Sequence, residues 1–191
     1  MRDRASRLVD KYIKFRPHLY ELAKRANPFK QCIAVHIRHS DKANKRRKIP
    51  VKKFLPYVQA FAEEKQKIVK GNNFSVYIAT DSHYVMSKIR SDWPSEIVDR
   101  IQYQKRAVRS NDTTPVFSLS SHHTTNTEVL VDIIAMSKCQ YLLHGLSAVS
   151  EATHYINSDL HKQKRSVNLE IQNHASVDQF RAIINDDKGF Y

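Results

Sequence analysis

Residues 32–42, Cys-Ile-Ala-Val-His-Ile-Arg-His-Ser-Asp-Lys, decide the fold of this chain. Their first part, 32–37, is short, apolar and partly β-branched, which is typical of a strand that is covered on both faces. In an extended segment the side chains of His36, Arg38 and Ser40 point to the same side. The stretch therefore predicts a buried strand that carries several polar side chains at its carboxyl end.

Helix and strand patterns alternate along the rest of the chain. Helical spacing and capping residues predict helices at 4–26 with a break at Pro17, at 51–69 before Gly71, from Thr80-Asp81 to about Arg90, from the Thr125-x-x-Glu128 capping box to Met136, and at 147–157. Further strands are predicted at 74–79, 97–103, 141–143 and 166–170, and a long loop at 104–123. This order predicts an α/β fold: an open, mostly parallel sheet with helices on both faces, whose ligands bind at the carboxyl ends of the strands. We expect residues 1–30 to form a helical segment that packs on a domain of residues 31–191.

Charge and glycine content narrow the classes of function. The chain has 191 residues, with 32 Lys plus Arg against 19 Asp plus Glu, which gives a net charge of +13. Its glycines, Gly71, Gly145 and Gly189, lie far apart in the sequence. Neither the glycine-rich phosphate-binding loop nor the GxGxxG dinucleotide fingerprint can therefore be present. Any nucleotide must be held in another way.

Cysteines and targeting signals add two expectations. Cys32 and Cys139 both lie in apolar runs, so we expect buried free thiols rather than a disulfide. No apolar stretch approaches the ~18 residues of a membrane span, and the start of the chain is charged. We therefore expect neither a signal peptide nor a membrane anchor in this chain.

Arg38 is the first candidate for anion binding. A guanidinium at the carboxyl end of a buried strand can bind a phosphate through two hydrogen bonds. The same residues also have a structural interpretation, in which Arg38 forms an ion pair with Asp41 and His36 is a hydrogen-bonded core histidine. The residue types alone leave both interpretations open.

A second candidate anion site follows the strand at 141–143. Ser147 starts a predicted helix there, and backbone N–H groups at a helix amino terminus can bind phosphate without a glycine-rich loop. A plain N-cap is the alternative. Asp132 interrupts an apolar run, so its carboxylate is either paired in the core or faces a site.

Metal and nucleic-acid binding are disfavoured hypotheses. The pairs His36 with His39 and His122 with His123 lack the ligand spacing of a metal site, so we expect no metal. The basic run at 42–53 could contact a phosphate backbone. Its lysines and arginines are not interleaved with aromatic residues, so a solvated loop beside a diphosphate site is the simpler interpretation. We expect no stable nucleic-acid partner.

Three segments share their order and spacing with the motifs of a known family. They are IAVHIRHSDK at 33–42, VYIATD at 76–81 and VDIIAMSKC at 131–139. Together they resemble the motifs of the alpha-1,6-fucosyltransferases, which include the core N-glycan and the nodulation fucosyltransferases. The resemblance covers roughly residues 6–160.

The resemblance implies an inverting, metal-independent glycosyltransferase with two Rossmann-like halves, which uses GDP-fucose as donor and a glycan as acceptor. This chain resembles the donor-binding half, so the amino-terminal half of the catalytic region would be a missing partner. The implied donor-binding residues are His36, Arg38, His39, Asp132, Ser147 and Ala148. His36 and Asp132 would contact guanine, and Arg38 would neutralise the β-phosphate as fucose departs. Relatives work in the Golgi lumen, which is the implied location.

Several positions depart from the family pattern. Ser82 and Ala148 replace the second Asp and the second Ser of two family pairs, and His39 replaces the second Arg of another. Arg46 stands where the animal enzymes have the Glu proposed as general base, and a guanidinium cannot accept the proton of the acceptor hydroxyl. Asp41 is the nearest carboxylate and the candidate catalytic base. The alternatives are a different acceptor, or a chain that binds the donor without transferring fucose.

Overall fold

One parallel sheet organises the molecule. A computed structural model describes residues 1–39, 48–68, 74–111, 114 and 116–187. The strands in this part of the chain are β1 (Cys32–Ile37), β2 (Ser75–Thr80), β3 (Ile101–Gln102), β4 (Tyr141–His144) and β5 (Ser166–Asn168). They lie in the order β3-β2-β1-β4-β5, and each neighbouring pair is parallel. The predicted α/β fold with an open, Rossmann-like sheet is confirmed.

Helices cover both faces of the sheet. They are α1 (Arg2–Tyr12), α2 (Pro17–Ala26), α3 (Leu55–Ile68), α4 (His83–Asp92), α5 (Ser95–Val98), α6 (His122–Ser137), α7 (Ala148–Ile156), α8 (Asp159–Lys162) and α9 (Val177–Asp186). Val35 of β1 packs in a core with residues of α3 and α9, whereas its neighbour Ala34 packs in a second core with residues of α2 and α6. This alternation is the two-residue period of a strand buried on both faces. Among the described residues, no helix combines the length and apolar character that a membrane span needs.

The first two helices each pack on another helix. α1 lies against α7, and α2 lies against α6. Arg2 forms an ion pair with Glu151, and the Ser6 hydroxyl donates a hydrogen bond of 2.8 Å to the Tyr155 carbonyl. Pro17 is the first residue of α2, where its missing N–H has no intrahelical partner to lose. The predicted break at Pro17 is confirmed.

Two helix starts differ from the prediction. Ser82, not Thr80-Asp81, caps α4, because its hydroxyl accepts the Val85 N–H at 3.2 Å. Ser121 caps α6 through the Thr124 N–H, also at 3.2 Å, so α6 begins one turn before the predicted capping box at Thr125. In both cases a serine hydroxyl accepts one of the N–H groups that a helix start leaves without an intrahelical partner.

The predicted strand at 97–103 is wrong for most of its length. Residues 95–98 form α5, and only Ile101–Gln102 pair with β2. Pro94 fixes the backbone at the start of α5, where its carbonyl accepts the Ile97 N–H at 3.0 Å. The predicted loop at 104–123 contains a short 3₁₀ helix, Val116–Ser118, and the first residues of α6. A second 3₁₀ turn, Val51–Lys53, precedes α3, whose predicted end at Gly71 lies outside the described residues.

The expectation of free thiols is wrong. Cys32 and Cys139 form a disulfide, with Cα atoms 4.7 Å apart. Both residues are buried, as predicted. Cys32 begins β1, and Cys139 follows α6 on the way into β4, the strand next to β1. Apolar neighbours in the sequence predict burial, but only the sheet order brings these two distant residues together.

Candidate functional site

A cleft opens at the carboxyl end of the sheet, where a ligand site is expected in this fold. Its walls come from the ends of β1 and β2, the loop after β3, one side of α6 and the first turn of α7. The ionisable side chains that line it are His36, Arg38, Asp81, Glu128 and Asp132. Three of the predicted site residues, His36, Arg38 and Asp132, therefore lie in one cleft.

Arg38 is held at this cleft by Asp81. Its Nε lies 3.2 Å from Asp81 Oδ2, and the backbone N–H of His39 donates to Asp81 Oδ1 at 2.9 Å. The Arg38 side chain is 29% exposed, so a ligand in the cleft can reach it. Asp41, the partner that the sequence suggests for Arg38, lies outside the described residues. Asp81 directly follows β2, the strand beside β1.

His36 is a hydrogen-bonded histidine that also lines the cleft. The ring is buried, and its Nδ1 lies 2.8 Å from the Ser150 hydroxyl in α7. Burial lowers the pKa of His36 to about 4, so the ring is neutral at pH 7. A neutral imidazole presents one donor and one acceptor, which suits recognition of a polar ligand more than attraction of a phosphate.

Asp132 is both paired and directed to the cleft. Its Oδ1 accepts hydrogen bonds of 2.6 Å from the Tyr77 hydroxyl and 2.6 Å from the Gln104 side-chain amide. Burial raises the pKa of Asp132 to about 6, against the opposing effect of these two hydrogen bonds and of the Arg109 charge. The carboxylate is thus fixed in position and mostly ionised at pH 7.

Three other predicted site residues, His39, Ser147 and Ala148, are not among the residues that line this cleft. The ring of His39 stacks on Tyr84, with centroids 5.1 Å apart. Ser147 caps α7, because its hydroxyl accepts the Val149 N–H at 3.2 Å. Ala148 is exposed in the first turn of α7, and Val149 is the residue by which this turn reaches the cleft. The proposed role of Ser147 and Ala148 near a phosphate stays a prediction.

Glu128 is a cleft residue that was not predicted. The Thr125-x-x-Glu128 spacing indicated a capping box, but the Glu128 side chain accepts the Val108 N–H at 3.1 Å and lines the cleft. Arg109, also missed, is buried in the same loop. One signal was present in the sequence, because Glu128 and Asp132 are four residues apart and must share a face of any helix that contains both.

The two histidine pairs belong to no metal-binding group in the described part of the chain. Among the described residues, no group of three or more His, Cys, Asp or Glu side chains is placed to hold a metal ion. His122 and His123 are exposed at the start of α6. Metal-independent chemistry stays a prediction.

Comparison with known proteins yields structural similarity only. No protein-family model matches the chain, and no curated protein matches it. Among solved structures, the fucosyltransferase NodZ from Bradyrhizobium is similar with a TM-score of 0.49 and 15% sequence identity, over 91% of this chain and 51% of that chain. A selenomethionine form of NodZ from Bradyrhizobium gives a TM-score of 0.48 and 16% identity, over 89% and 50%. The chain thus spans about half the length of these structures.

Proposed function

We propose that this chain is the donor-binding domain of an inverting fucosyltransferase that transfers fucose from GDP-fucose to a glycan hydroxyl. One observation carries the proposal. His36, Arg38 and Asp132, which the motif resemblance assigns to the donor, are far apart in the sequence yet line one cleft at the carboxyl end of the sheet. Arg38 suits a phosphate, and Asp132 and His36 suit the polar edge of a base, so together they would serve a nucleoside diphosphate.

The groups that line the cleft would perform different tasks. Asp132 would offer carboxylate oxygens to the N–H donors of guanine, and neutral His36, which lines the same cleft, would add a further polar contact. Arg38 would stabilise the negative charge that develops on the β-phosphate as the bond to fucose breaks. The amino terminus of α7, which contributes Val149 to the cleft, adds the positive end of a helix dipole. These contacts bind the donor and assist departure of GDP.

Transfer also requires a base for the acceptor hydroxyl. The hydroxyl oxygen would attack the anomeric carbon, the bond from that carbon to the β-phosphate would break with inversion, and the hydroxyl proton would pass to a carboxylate. Asp81 is poorly suited, because its two oxygens already bind Arg38 and the His39 N–H. We assign the base to Asp41. A partner half would contribute to the acceptor site and to specificity for the glycan.

A second candidate function is a donor-binding homologue that does not transfer fucose. Arg46 favours it, because an arginine stands where the family has its proposed base. Release of GDP from GDP-fucose, measured with and without candidate glycan acceptors in the presence of the amino-terminal half, separates the two functions. Turnover selects the enzyme, and binding without turnover selects the homologue.

The proposal includes a location in the Golgi lumen. Disulfides persist mainly in oxidising compartments, and the buried link between Cys32 and Cys139 supports such an environment. Fluorescence imaging of the tagged full-length protein beside Golgi and cytosolic markers tests this location.

Calorimetric titration with GDP and GDP-fucose tests donor binding. We expect saturable binding of both, and Arg38→Ala should weaken it roughly 10- to 100-fold, because a charge-assisted contact to phosphate is lost. Arg181→Ala is the matched control, since Arg181 also forms ion pairs with carboxylates but lies on α9. It should bind GDP as the unmodified chain does. Equal affinity in Arg38→Ala, or salt-sensitive binding of single-stranded RNA with no GDP binding, would contradict the proposal.

Donor binding should also weaken in acid. Because burial raises the pKa of Asp132 to about 6, the carboxylate takes up a proton as the pH falls through that value. We expect the affinity for GDP-fucose to be constant near pH 7–8 and to fall about ten-fold per pH unit below 6. Burial also raises the pKa of Glu128, which acts in the same direction, whereas His36 stays neutral in this range.

GDP-fucose is the correct probe for this titration, because its β-phosphate is bonded to the sugar. GDP ends in a free phosphate whose own pKa lies near 6 and would add a second pH dependence. The control is Asp132→Asn, which cannot ionise. It should bind GDP-fucose weakly, with a smaller dependence on pH. An unmodified chain whose affinity is the same at about pH 5 and pH 8 would show that ionised Asp132 does not contact the donor.

A further inference from the structure

Two carboxylates, Glu128 and Asp132, face the cleft from neighbouring turns of α6. In each carboxylate, one oxygen accepts hydrogen bonds from the protein. Asp132 Oδ1 accepts both of that residue's hydrogen bonds, and Glu128 Oε2 accepts the Val108 N–H at 3.1 Å. Within the part of the chain that the structure describes, Asp132 Oδ2 and Glu128 Oε1 accept no hydrogen bond. The cleft therefore has two fixed carboxylates with an acceptor left on each.

The loop after β3 holds these carboxylates in place. Gln104 donates its side-chain amide to the Glu128 carbonyl at 2.8 Å as well as to Asp132. Arg109, which is buried, donates through Nη2 to the Gln104 carbonyl at 3.0 Å and through Nη1 to the Ala107 carbonyl at 3.2 Å. Its charge also favours the ionised form of both carboxylates. Hydrogen bonds from one loop thus hold two carboxylates at the cleft, although the chain as a whole is basic.

Such a pair of acceptors selects for a ligand with adjacent N–H donors. Guanine carries an N1–H and a 2-amino group on the same edge, whereas hypoxanthine has the N1–H alone. We propose that Glu128 binds the 2-amino group of guanine beside Asp132, an inference that rests on the proposed function. This contact makes the chain discriminate guanine from hypoxanthine nucleotides. Glu128 is then a specificity-determining residue in addition to those that the motifs point to.

A substitution of Glu128 can remove the proposed contact with the guanine 2-amino group and keep the hydrogen bond from the Val108 N–H. Glu128→Gln keeps one acceptor oxygen and exchanges the other for an NH₂ donor. The Val108 N–H needs the acceptor, so the NH₂ group would face the guanine 2-amino group, donor against donor. The loss should therefore fall on GDP and spare IDP, the hypoxanthine analogue that lacks the amino group.

Calorimetric titration with GDP and IDP measures the effect. The unmodified chain should bind GDP roughly 10- to 100-fold more tightly than IDP. Glu128→Gln should bind the two nucleotides about equally, with its affinity for IDP unchanged. Glu96, an exposed residue of α5, supplies the matched control, and Glu96→Gln should keep the full preference for GDP.

Every outcome decides the inference. A preference for GDP that persists in Glu128→Gln overturns it, and so does equal binding of GDP and IDP by the unmodified chain. In either case, GDP binding that Arg38→Ala weakens still supports the proposed function. If neither nucleotide binds the unmodified chain, the proposed function fails and the inference fails with it. Glu128→Ala, which removes both oxygens, replaces Glu128→Gln if that variant does not fold, and it too should lose the preference for GDP.

Discussion

Replacing Cys32 and Cys139 together by alanine should lower the free energy of unfolding by about 4 kcal/mol. The disulfide links residues separated by 107 positions, and a cross-link over so long a loop removes much conformational entropy from the unfolded chain. Alanine is the suitable replacement, because both sites are buried and a serine would bring a hydroxyl into the core. Denaturant unfolding of both proteins without reductant measures the difference.

Reductant supplies the control for this experiment. It should destabilise the unmodified chain by a similar amount and leave the alanine variant unchanged, since that variant has no cysteine to reduce. Thiol labelling of the denatured, unreduced chain should detect no free cysteine. One labelled thiol per cysteine, or equal denaturation midpoints for the two proteins, would show that the link does not form in solution.

The central strands were predictable because their surroundings are simple. β1, β2 and β4 are buried on both faces, so nearly every position in them must be apolar, and the predicted bounds are within about one residue of those in the structure. Among the described strands, β3 lies at the edge of the sheet, pairs with β2 and has two residues. A strand so short leaves no periodic signal in the sequence.

The lining of the candidate cleft was predictable only where a residue interrupts a regular pattern. His36 lies within an otherwise apolar strand, Arg38 directly follows that strand, and Asp132 breaks an apolar helix, so each stands out from its neighbours. Gln104 and Arg109 lie in a loop, where polar residues are ordinary and carry no such signal. Their contacts with α6 depend on how this loop folds back toward the helix.

Glu128 shows how a local pattern can mislead. The Thr125-x-x-Glu128 spacing matches a capping box, but Ser121 already caps the helix, so the Glu128 side chain is available to the neighbouring loop. The disulfide was not predicted for a related reason: the sequence neighbours of a cysteine give no information about a residue more than a hundred positions away. The missed features of this chain are thus contacts between segments, whereas the elements themselves were mostly foreseen.

A buried charged cluster lies at the other end of the sheet, near the start of β4. Arg165 donates through Nη2 to Asp187 Oδ1, and the Tyr141 hydroxyl donates to Asp187 Oδ2 at 2.9 Å. Lys65 of α3 is also buried, and the Asp187 charge favours its protonated form. Asp187 follows the last residue of α9, so its carboxylate ties α9 to the sheet and offsets two buried cations.

Asp187→Asn should therefore lower the free energy of unfolding by about 3 kcal/mol, because Arg165 and Lys65 would stay buried without this negative charge. Asparagine keeps a side-chain oxygen for the Tyr141 hydroxyl, so the loss reports mainly on charge. The neighbouring Asp186 is exposed, and Asp186→Asn should change stability by less than about 0.5 kcal/mol. Denaturant unfolding of the three proteins at pH 7 gives the comparison. Equal losses in the two variants would mean that the cluster tolerates neutral Asp187, and the carboxylate would then have no special part in holding α9 against the sheet.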